Sequence, residues 1–265
     1  MGRLEGKVAI VTGGSRGLGA GAVEALCAEG ATVMIADVLA EAGEASAEAL
    51  RERGYRAHFI ALDVRDAAAW AKAVETTMDG HGRLDCLVNN AGINITVDFE
   101  EATPEQFDAI IGINLRGAFL GTQAVIPAMR AGGGGSIINV ASNSTGMIVP
   151  AAAIYAISKS GLASLTKSTG VHCALKGYNI RANSIHPGPH QTEMMTNPEV
   201  LALPEVRALL DAIPMGRLGR PDEFGKLVVF LASDDSSYMT TSELFLDGGL
   251  TTVSFADPGR AQAGA

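Results

Sequence analysis

Short apolar runs alternate with stretches of helical periodicity along this chain. Lys7–Val11 predicts a strand, and a glycine-rich turn and a helix over about Gly17–Glu29 follow it. Thr32–Ala36 predicts a second strand, and the Ala/Glu-rich segment Glu41–Arg53 a second helix. Ala57–Leu62 and Cys86–Val88 predict two further strands, separated by an amphipathic helix over Ala67–Asp79. Apolar helical patterns over Phe107–Arg130 and Ile154–Leu175 then fall among the strands Ile137–Val140, Ile180–Ile185 and Leu244–Leu246. Strands that alternate with helices of this length imply right-handed crossovers and an α/β architecture, a doubly wound parallel sheet covered on both faces. No internal repeat and no linker-like stretch divides the 265 residues, so one domain over 1–265 is expected. The small and polar residues 256–265 read as a frayed tail.

Composition narrows the picture. Hydrophobic residues make up 47% of the chain and charged ones only 18%, ample material for a buried core. The formal net charge of -9 argues against nucleic acid as a partner, because neutralising phosphates takes clustered Lys and Arg. Cys27, Cys86 and Cys173 are odd in number and far apart, neither a disulfide framework nor a zinc site, which points to a reduced, cytoplasmic setting. Charges in the opening MGRLEGKVAIVTGG interrupt what would be a signal-peptide core. The uncharged stretch Ala131–Ser158 is long enough for a membrane span, but its glycines, serines and asparagines are too polar for lipid, so no membrane partner is expected. His186 and His190 are four apart, yet Pro187 and Pro189 forbid the helix that would pair them, so no metal is expected.

Candidate chemistry begins at the first turn. Thr12-Gly13-Gly14-Ser15-Arg16-Gly17-Leu18-Gly19 follows the first strand and opens a helix. Glycines there let the backbone turn tightly and approach a pyrophosphate, and the helix N-terminus offers free N–H groups to it. Asp37 closes the second strand, where an acidic residue would take the ribose hydroxyls and repel a 2′-phosphate. Arg16 pulls the other way, since a cation in the turn can accept that phosphate. Asp37 would sit directly at the 2′ position, so the expected cofactor is NAD.

Taken together the motifs resemble the short-chain dehydrogenase/reductase family, in the branch with chains of about this length. The likeness runs from Gly6 to Gly249. Its markers are TGGSRGLG at Thr12–Gly19, Asp63-Val64, Asn89-Asn90-Ala91-Gly92, Asn114, Ser142, Tyr155-x-x-x-Lys159, Pro187-Gly188 with Thr192, and Asp247-Gly248-Gly249. The resemblance implies a Rossmann-type sheet of strand order 3-2-1-4-5-6-7 and a homotetramer formed through the helices Phe107–Arg130 and Ile154–Leu175 and the last strand. It also implies that Asp63 and Val64 face the adenine, that Asn90, Ala91 and Gly92 line the cofactor cleft, and that Pro187, Gly188 and Thr192 bracket the nicotinamide. Thr241 departs from the family pattern, standing where a glycine is usual, so a different local turn is expected there. Pro189-His190 is a less common continuation.

The residues make chemical sense of that likeness. Tyr155 and Lys159, four apart in the apolar-patterned segment Ile154–Leu165, share one helix face a turn apart. A free tyrosine has a pKa near 10, and bringing it toward neutrality takes about 3–4 kcal/mol. An ammonium at ~4 Å supplies about that much at an intermediate effective dielectric. Ser142, at the end of a predicted core strand, can hold the substrate oxygen beside the phenol. Asn114 resembles the family's fourth catalytic residue, with a carboxamide expected to hold a water that passes the proton on through Lys159. Ser144, His190, Met194 and Met195 are candidate substrate contacts, and a lid is expected over residues 190–215, an apolar segment broken by prolines. With no Arg or Lys between Arg181 and Arg207 to clamp an anion, the expected substrate is an uncharged, hydrophobic secondary alcohol or ketone, alicyclic or steroid-like. Two rivals are a ketoacyl carrier-protein-type reductase, disfavoured by Asp37 and the acidic balance, and a non-catalytic dinucleotide-binding protein, disfavoured because all four catalytic positions are filled.

Overall fold

Alternate residues of the central strands point to opposite sides of one sheet, and each side finds its own helices. In β1 (Val8–Thr12) and β2 (Thr32–Asp37), Ala9, Val11, Val33 and Ile35 face one apolar cluster, while Ile10, Met34 and Ala36 face the other. The first cluster is closed by α1 (Gly17–Ala28), α2 (Ala40–Glu52) and α8 (Pro221–Ala232), which bring Leu26, Leu50 and Phe224 to it. The second is closed by α3 (Ala67–His81) and α5 (Gly117–Ala131), which bring Trp70, Val125 and Met129 to it. Trp70 also donates its indole N–H to the Val64 carbonyl at 3.0 Å, so its one polar atom is satisfied where it is buried.

The computed structural model describes residues 2–192, 195, 201 and 204–252. Adding β3 (Arg56–Ala61), β4 (Cys86–Asn89), β5 (Gly135–Val140), β6 (Ile180–Pro187) and β7 (Glu243–Leu246) completes a seven-stranded parallel sheet of order β3-β2-β1-β4-β5-β6-β7. That is the doubly wound order expected. β1 and β4 run side by side, with Ala9 opposite Cys86 and Val11 opposite Val88, and the chain changes direction across the sheet between them. Cofactor clefts in such folds open at this switch point, outside the carboxyl ends of the strands. All three cysteines are free and buried.

Between β4 and β5 the chain forms one continuous helical stretch from Pro104 to Ala131, long and apolar enough by length and composition to cross a bilayer. Its inner face carries Ile110, Val125 and Met129 into the fold, all fully buried. The stretch starts cleanly: Thr103 accepts a hydrogen bond from the Gln106 N–H, Gln106 accepts one from the Thr103 N–H, and Pro104 takes the first helical position. It is not uniform. Residues Gly112–Arg116 between α4 (Pro104–Ile111) and α5 form a π-turn, which the regular helical pattern over Phe107–Arg130 did not anticipate. After β5, α6 (Ala153–Leu175) runs back behind the sheet to β6.

The segment beyond β6 includes α7 (Pro204–Asp211) and returns to the sheet edge. There Met215 N–H donates to the Gly248 carbonyl at 3.2 Å, and Ile213 is buried. Gly248 and Gly249 have φ of +64° and +90°, and a Cβ on either would stand 2.9 Å from Ile213 Cγ2 or 3.1 Å from Pro214 Cγ. These glycines both turn the chain and make room for residues 213–215. Of the expected lid, residues 193, 194, 196–200, 202 and 203 lie outside the described residues, as does the expected tail over 256–265.

Candidate active site

At the carboxyl ends of β1 and β2 the glycine turn shapes a cleft of about 440 Å³, lined by Gly13, Arg16, Asp37, Val64 and the Asn90–Ile93 segment among others. The turn is packed from below. Gly13 has φ +62°, and a Cβ on Gly19 would stand 2.0 Å from the Gly13 carbonyl oxygen and 2.6 Å from Asn90 Nδ2. No side chain fits there, so the helix start is pressed against the turn it must complete. Thr12 Oγ1 accepts the N–H groups of Asn90 and Ala91, each at 3.0 Å, and Asn90 Nδ2 donates to the carbonyls of Thr12 and Gly13 at 2.9 and 3.1 Å. The Asn89–Gly92 segment is thus tied to the glycine turn.

Asp37, buried at the end of β2, accepts the Ser15 and Leu39 N–H groups at 3.2 Å each. Those bonds fix its carboxylate on the wall of the cleft. Arg16 lines the same cleft but is exposed. Ser15 Oγ is buried and lacks a hydrogen-bond partner, a polar atom left over at the cleft wall. Asp63 is gripped by Arg65 through bonds of 3.0 and 2.6 Å, and those hydrogen bonds hold its carboxyl below the usual range. A glycine-lined turn at a helix N-terminus, a fixed carboxylate and an unpartnered hydroxyl fit a nicotinamide dinucleotide. Gly17 and Leu18 belong to the same turn, and Thr192 reaches it, its Cγ2 standing 3.8 Å from where a Cβ on Gly17 would be.

Three catalytic candidates meet where β5 ends and α6 begins. Ser142 is buried in extended backbone, and its Oγ accepts the Ser144 N–H at 3.1 Å. The Ser142 hydroxyl is near enough to the Tyr155 phenol to favour its ionised form. Lys159 Nζ lies 5.5 Å from the centre of the Tyr155 ring and donates to the Val140 carbonyl at 2.7 Å. Burial raises the Tyr155 pKa, an effect the Ser142 hydrogen bond partly offsets. Burial pulls Lys159 down to about 8. In the chain itself, burial therefore pushes both groups toward their uncharged forms.

Asn114 sits inside the π-turn, where one extra residue per turn swings its side chain off the regular helix face toward β4's continuation. Its carboxamide accepts the Ile93 N–H at 2.8 Å and donates to the Ile93 carbonyl at 2.9 Å and to Ser158 Oγ at 3.0 Å. Both N–H donors are committed, so the carboxamide clamps the Ile93 backbone to α6. Gly92 faces this clamp, a Cβ there standing 3.3 Å from both Asn114 Oδ1 and Lys159 Nζ. Ile93 and Ser158 were missed by sequence reading, since a backbone partner and a helix serine carry no motif.

The remaining candidates divide. Ser144 Oγ is buried two residues from Ser142 and has no hydrogen-bond partner, available to a bound group. His190 is 4% exposed, its Nδ1 bonds the Gly188 carbonyl at 2.8 Å, and its ring packs edge-on to Phe224. It fastens the strap that follows Pro187 and Gly188. Met195 is half-buried, and Met194 lies outside the described residues. Gly188 is pressed against Asp247, whose Cβ would be 2.7 Å from a Gly188 Cβ.

A family model described as enoyl-(acyl carrier protein) reductase matches residues 13–251. Cyclopentanol dehydrogenase of Comamonas testosteroni is 42% identical over 252 residues, covering 95% of this chain and 99% of that one. The 3-alpha-(or 20-beta)-hydroxysteroid dehydrogenase of Mycobacterium bovis is 42% identical over 248 residues, covering 94% and 90%. The NADP-dependent (R)-specific alcohol dehydrogenase of Lentilactobacillus kefiri is 36% identical over 250 residues, covering 94% and 98%. Among solved structures, a short-chain type dehydrogenase/reductase from Mycobacterium marinum superposes with a TM-score of 0.88 at 34% identity, covering 94% and 97%.

Proposed function

The chain belongs to the short-chain dehydrogenase/reductase family, an alcohol dehydrogenase using a nicotinamide dinucleotide, and from that premise we propose that it oxidises an uncharged, hydrophobic secondary alcohol with NAD. The observation that carries the reading is the convergence of Ser142, the Tyr155 phenol whose ionised form its hydroxyl favours, and Lys159 Nζ 5.5 Å from the Tyr155 ring. Ser142 Oγ, aimed by the Ser144 N–H, holds the alcohol oxygen beside the phenol. Tyr155 Oη takes the hydroxyl proton, and Lys159 lends the phenolate a positive neighbour and reaches the ribose. Asn114 keeps the Gly92–Ile93 wall in register with α6. When bound, the nicotinamide supplies the acceptor for the carbinol hydride. Gly13–Gly19, Asp37, Asp63, Val64 and Asn90–Gly92 would hold the adenosine and pyrophosphate, and Pro187, Gly188 and Thr192 the carboxamide end.

NAD is favoured over NADP by the fixed Asp37 carboxylate, which a 2′-phosphate would approach at like charge. Because one relative is described as NADP-dependent, this preference rests on Asp37 and not on the family. An alicyclic or steroid-like alcohol is favoured by the exposed apolar side chains of Ile148 and Val149, a few residues beyond Ser142, and of Met215, on the segment that returns to Gly248. The names of the cyclopentanol and hydroxysteroid relatives support the same class. We also place the protein in the cytoplasm, as a homotetramer, with a lid over 190–215. The test is a panel of cyclopentanol, a hydroxysteroid, a sugar alcohol and a hydroxy acid, followed by NADH absorbance. Cyclopentanol or the steroid should lead, and a tenfold lead for an anionic or sugar alcohol would overturn the substrate class.

A further inference from the structure

Beneath the turn that carries Ser142 lies a fully buried residue with no part in the chemistry above. His186, near the end of β6, is 0% exposed. Its Nδ1 lies 2.7 Å from Thr145 Oγ1 and 3.2 Å from the Ser142 carbonyl oxygen, and its Nε2 lies 2.8 Å from Ser184 Oγ. The Phe245 ring of β7 stacks on it at 4.7 Å between centres. On the same side Glu243 Oε2 is 3.9 Å from Nε2 and is itself paired with Lys167 at 2.5 Å.

We propose that His186 is a positioning residue for the reaction, holding the carbonyl end of the Ser142 turn while the Ser144 N–H holds the hydroxyl end. The inference rests on the reading that Ser142 orients the substrate oxygen. Thr145 Oγ1 donates its only proton to the Ser142 carbonyl at 2.9 Å. Its lone pair is then left for His186, which must present Nδ1–H, and Nε2 accepts the Ser184 hydroxyl. That tautomer links the serine turn to β6, which is locked to β7 by the Ser184 N–H to Ser242 carbonyl bond at 2.9 Å. A leucine or phenylalanine would fill the volume but leave Thr145 and Ser184 without their ring partner. Buried hydroxyls in that condition re-aim, and a displacement of ~1 Å at a reacting group can cost ~100-fold in rate.

Three replacements separate positioning from packing. His186→Asn keeps a donor near the Nδ1 site, His186→Gln reaches only the Nε2 site, and His186→Phe keeps the ring and its stacking on Phe245. With cyclopentanol and NAD, the Phe and Gln variants should lose about tenfold or more in kcat with the NAD KM little changed, while Asn retains most of its turnover. Thr145→Val should match His186→Phe, and the double variant should add little to either. Thr145→Val also carries the test if a His186 variant fails to fold. Equal turnover in all three His186 variants, or Asn as weak as Phe, would reduce His186 to a packing residue. A Ser142→Ala variant with undiminished turnover would instead remove the reading of the site itself.

Discussion

Tyr155 and Lys159 both sit where burial favours their uncharged forms, and this sets the sign of the pH dependence. A phenol whose pKa is raised is mostly protonated at neutral pH. Alcohol oxidation needs the phenolate, so its kcat/KM should climb through the alkaline range, while ketone reduction, which needs the phenol, should fall over the same interval. Profiles measured in both directions check this, and oxidation that peaks below neutrality would contradict it. Tyr155→Phe should abolish turnover and leave NAD affinity nearly intact, because only the oxygen is lost. A variant with more than a tenth of native activity would contradict that role. Asp37→Ser should narrow the preference for NAD by weakening its binding and relieving repulsion of a 2′-phosphate, read as the ratio of kcat/KM for the two dinucleotides. At this scale the sequence was most informative where chemistry has a fixed spacing: the helical i,i+4 relation brought Tyr155 and Lys159 together, and Ser142 and Asp37 fell at strand ends. It was silent where the contact is long-range. Nothing near His186 in the chain announces Thr145, and nothing near Asn114 announces the Ile93 backbone.

Elements were legible from periodicity, their irregularities less so. The strands appear where alternating and continuous apolar runs put them, shifted by a residue at β1, which ends on Thr12, and at β3, which starts at Arg56, with β5 and β6 each two residues longer. The π-turn at Gly112–Arg116 escaped because inserting one residue into a helical turn leaves the apolar pattern nearly unchanged. The turn before β7 shows a different conflict. Thr241 adopts φ +64°, and its N–H donates to the Ala182 carbonyl at 2.6 Å. A β-branched residue in the left-handed region costs roughly 1–2 kcal/mol. The pattern's absent glycine therefore leaves the turn in place but strained. Thr241→Gly should recover part of that cost, offset by greater freedom in the unfolded chain, and raise the melting temperature by about 2 °C. A lower melting temperature would mean that the Thr241 methyl packed over Gly170 outweighs the strain.

For the whole molecule, the sheet order followed from alternation plus resemblance, whereas assembly depends on which faces remain open. Phe107 and Phe119 on the α4–α5 face are 42% and 47% exposed, Ile157 and Val171 on α6 are 48% and 50%, and Phe245 on the edge strand β7 is 43%. Apolar groups on two helix faces and one sheet edge suit the expected homotetramer. Light scattering at micromolar concentration should give four subunits, and Phe119→Glu should shift the population toward smaller species. A native monomer would remove the expectation.

The docking of Ile213–Met215 onto Gly248 and Gly249 also has a consequence for how the molecule is made. The strands bordering the cleft at the glycine turn, β1 to β4, come from the first ninety residues, so that half can begin to fold while translation continues. The substrate side cannot. Its returning segment has no seat until the ribosome has released the two glycines after β7, by which time Ser142 and Tyr155 have long emerged. A nascent chain stalled before Gly248 would therefore carry its whole proton-transfer machinery with one wall of the substrate site still unanchored.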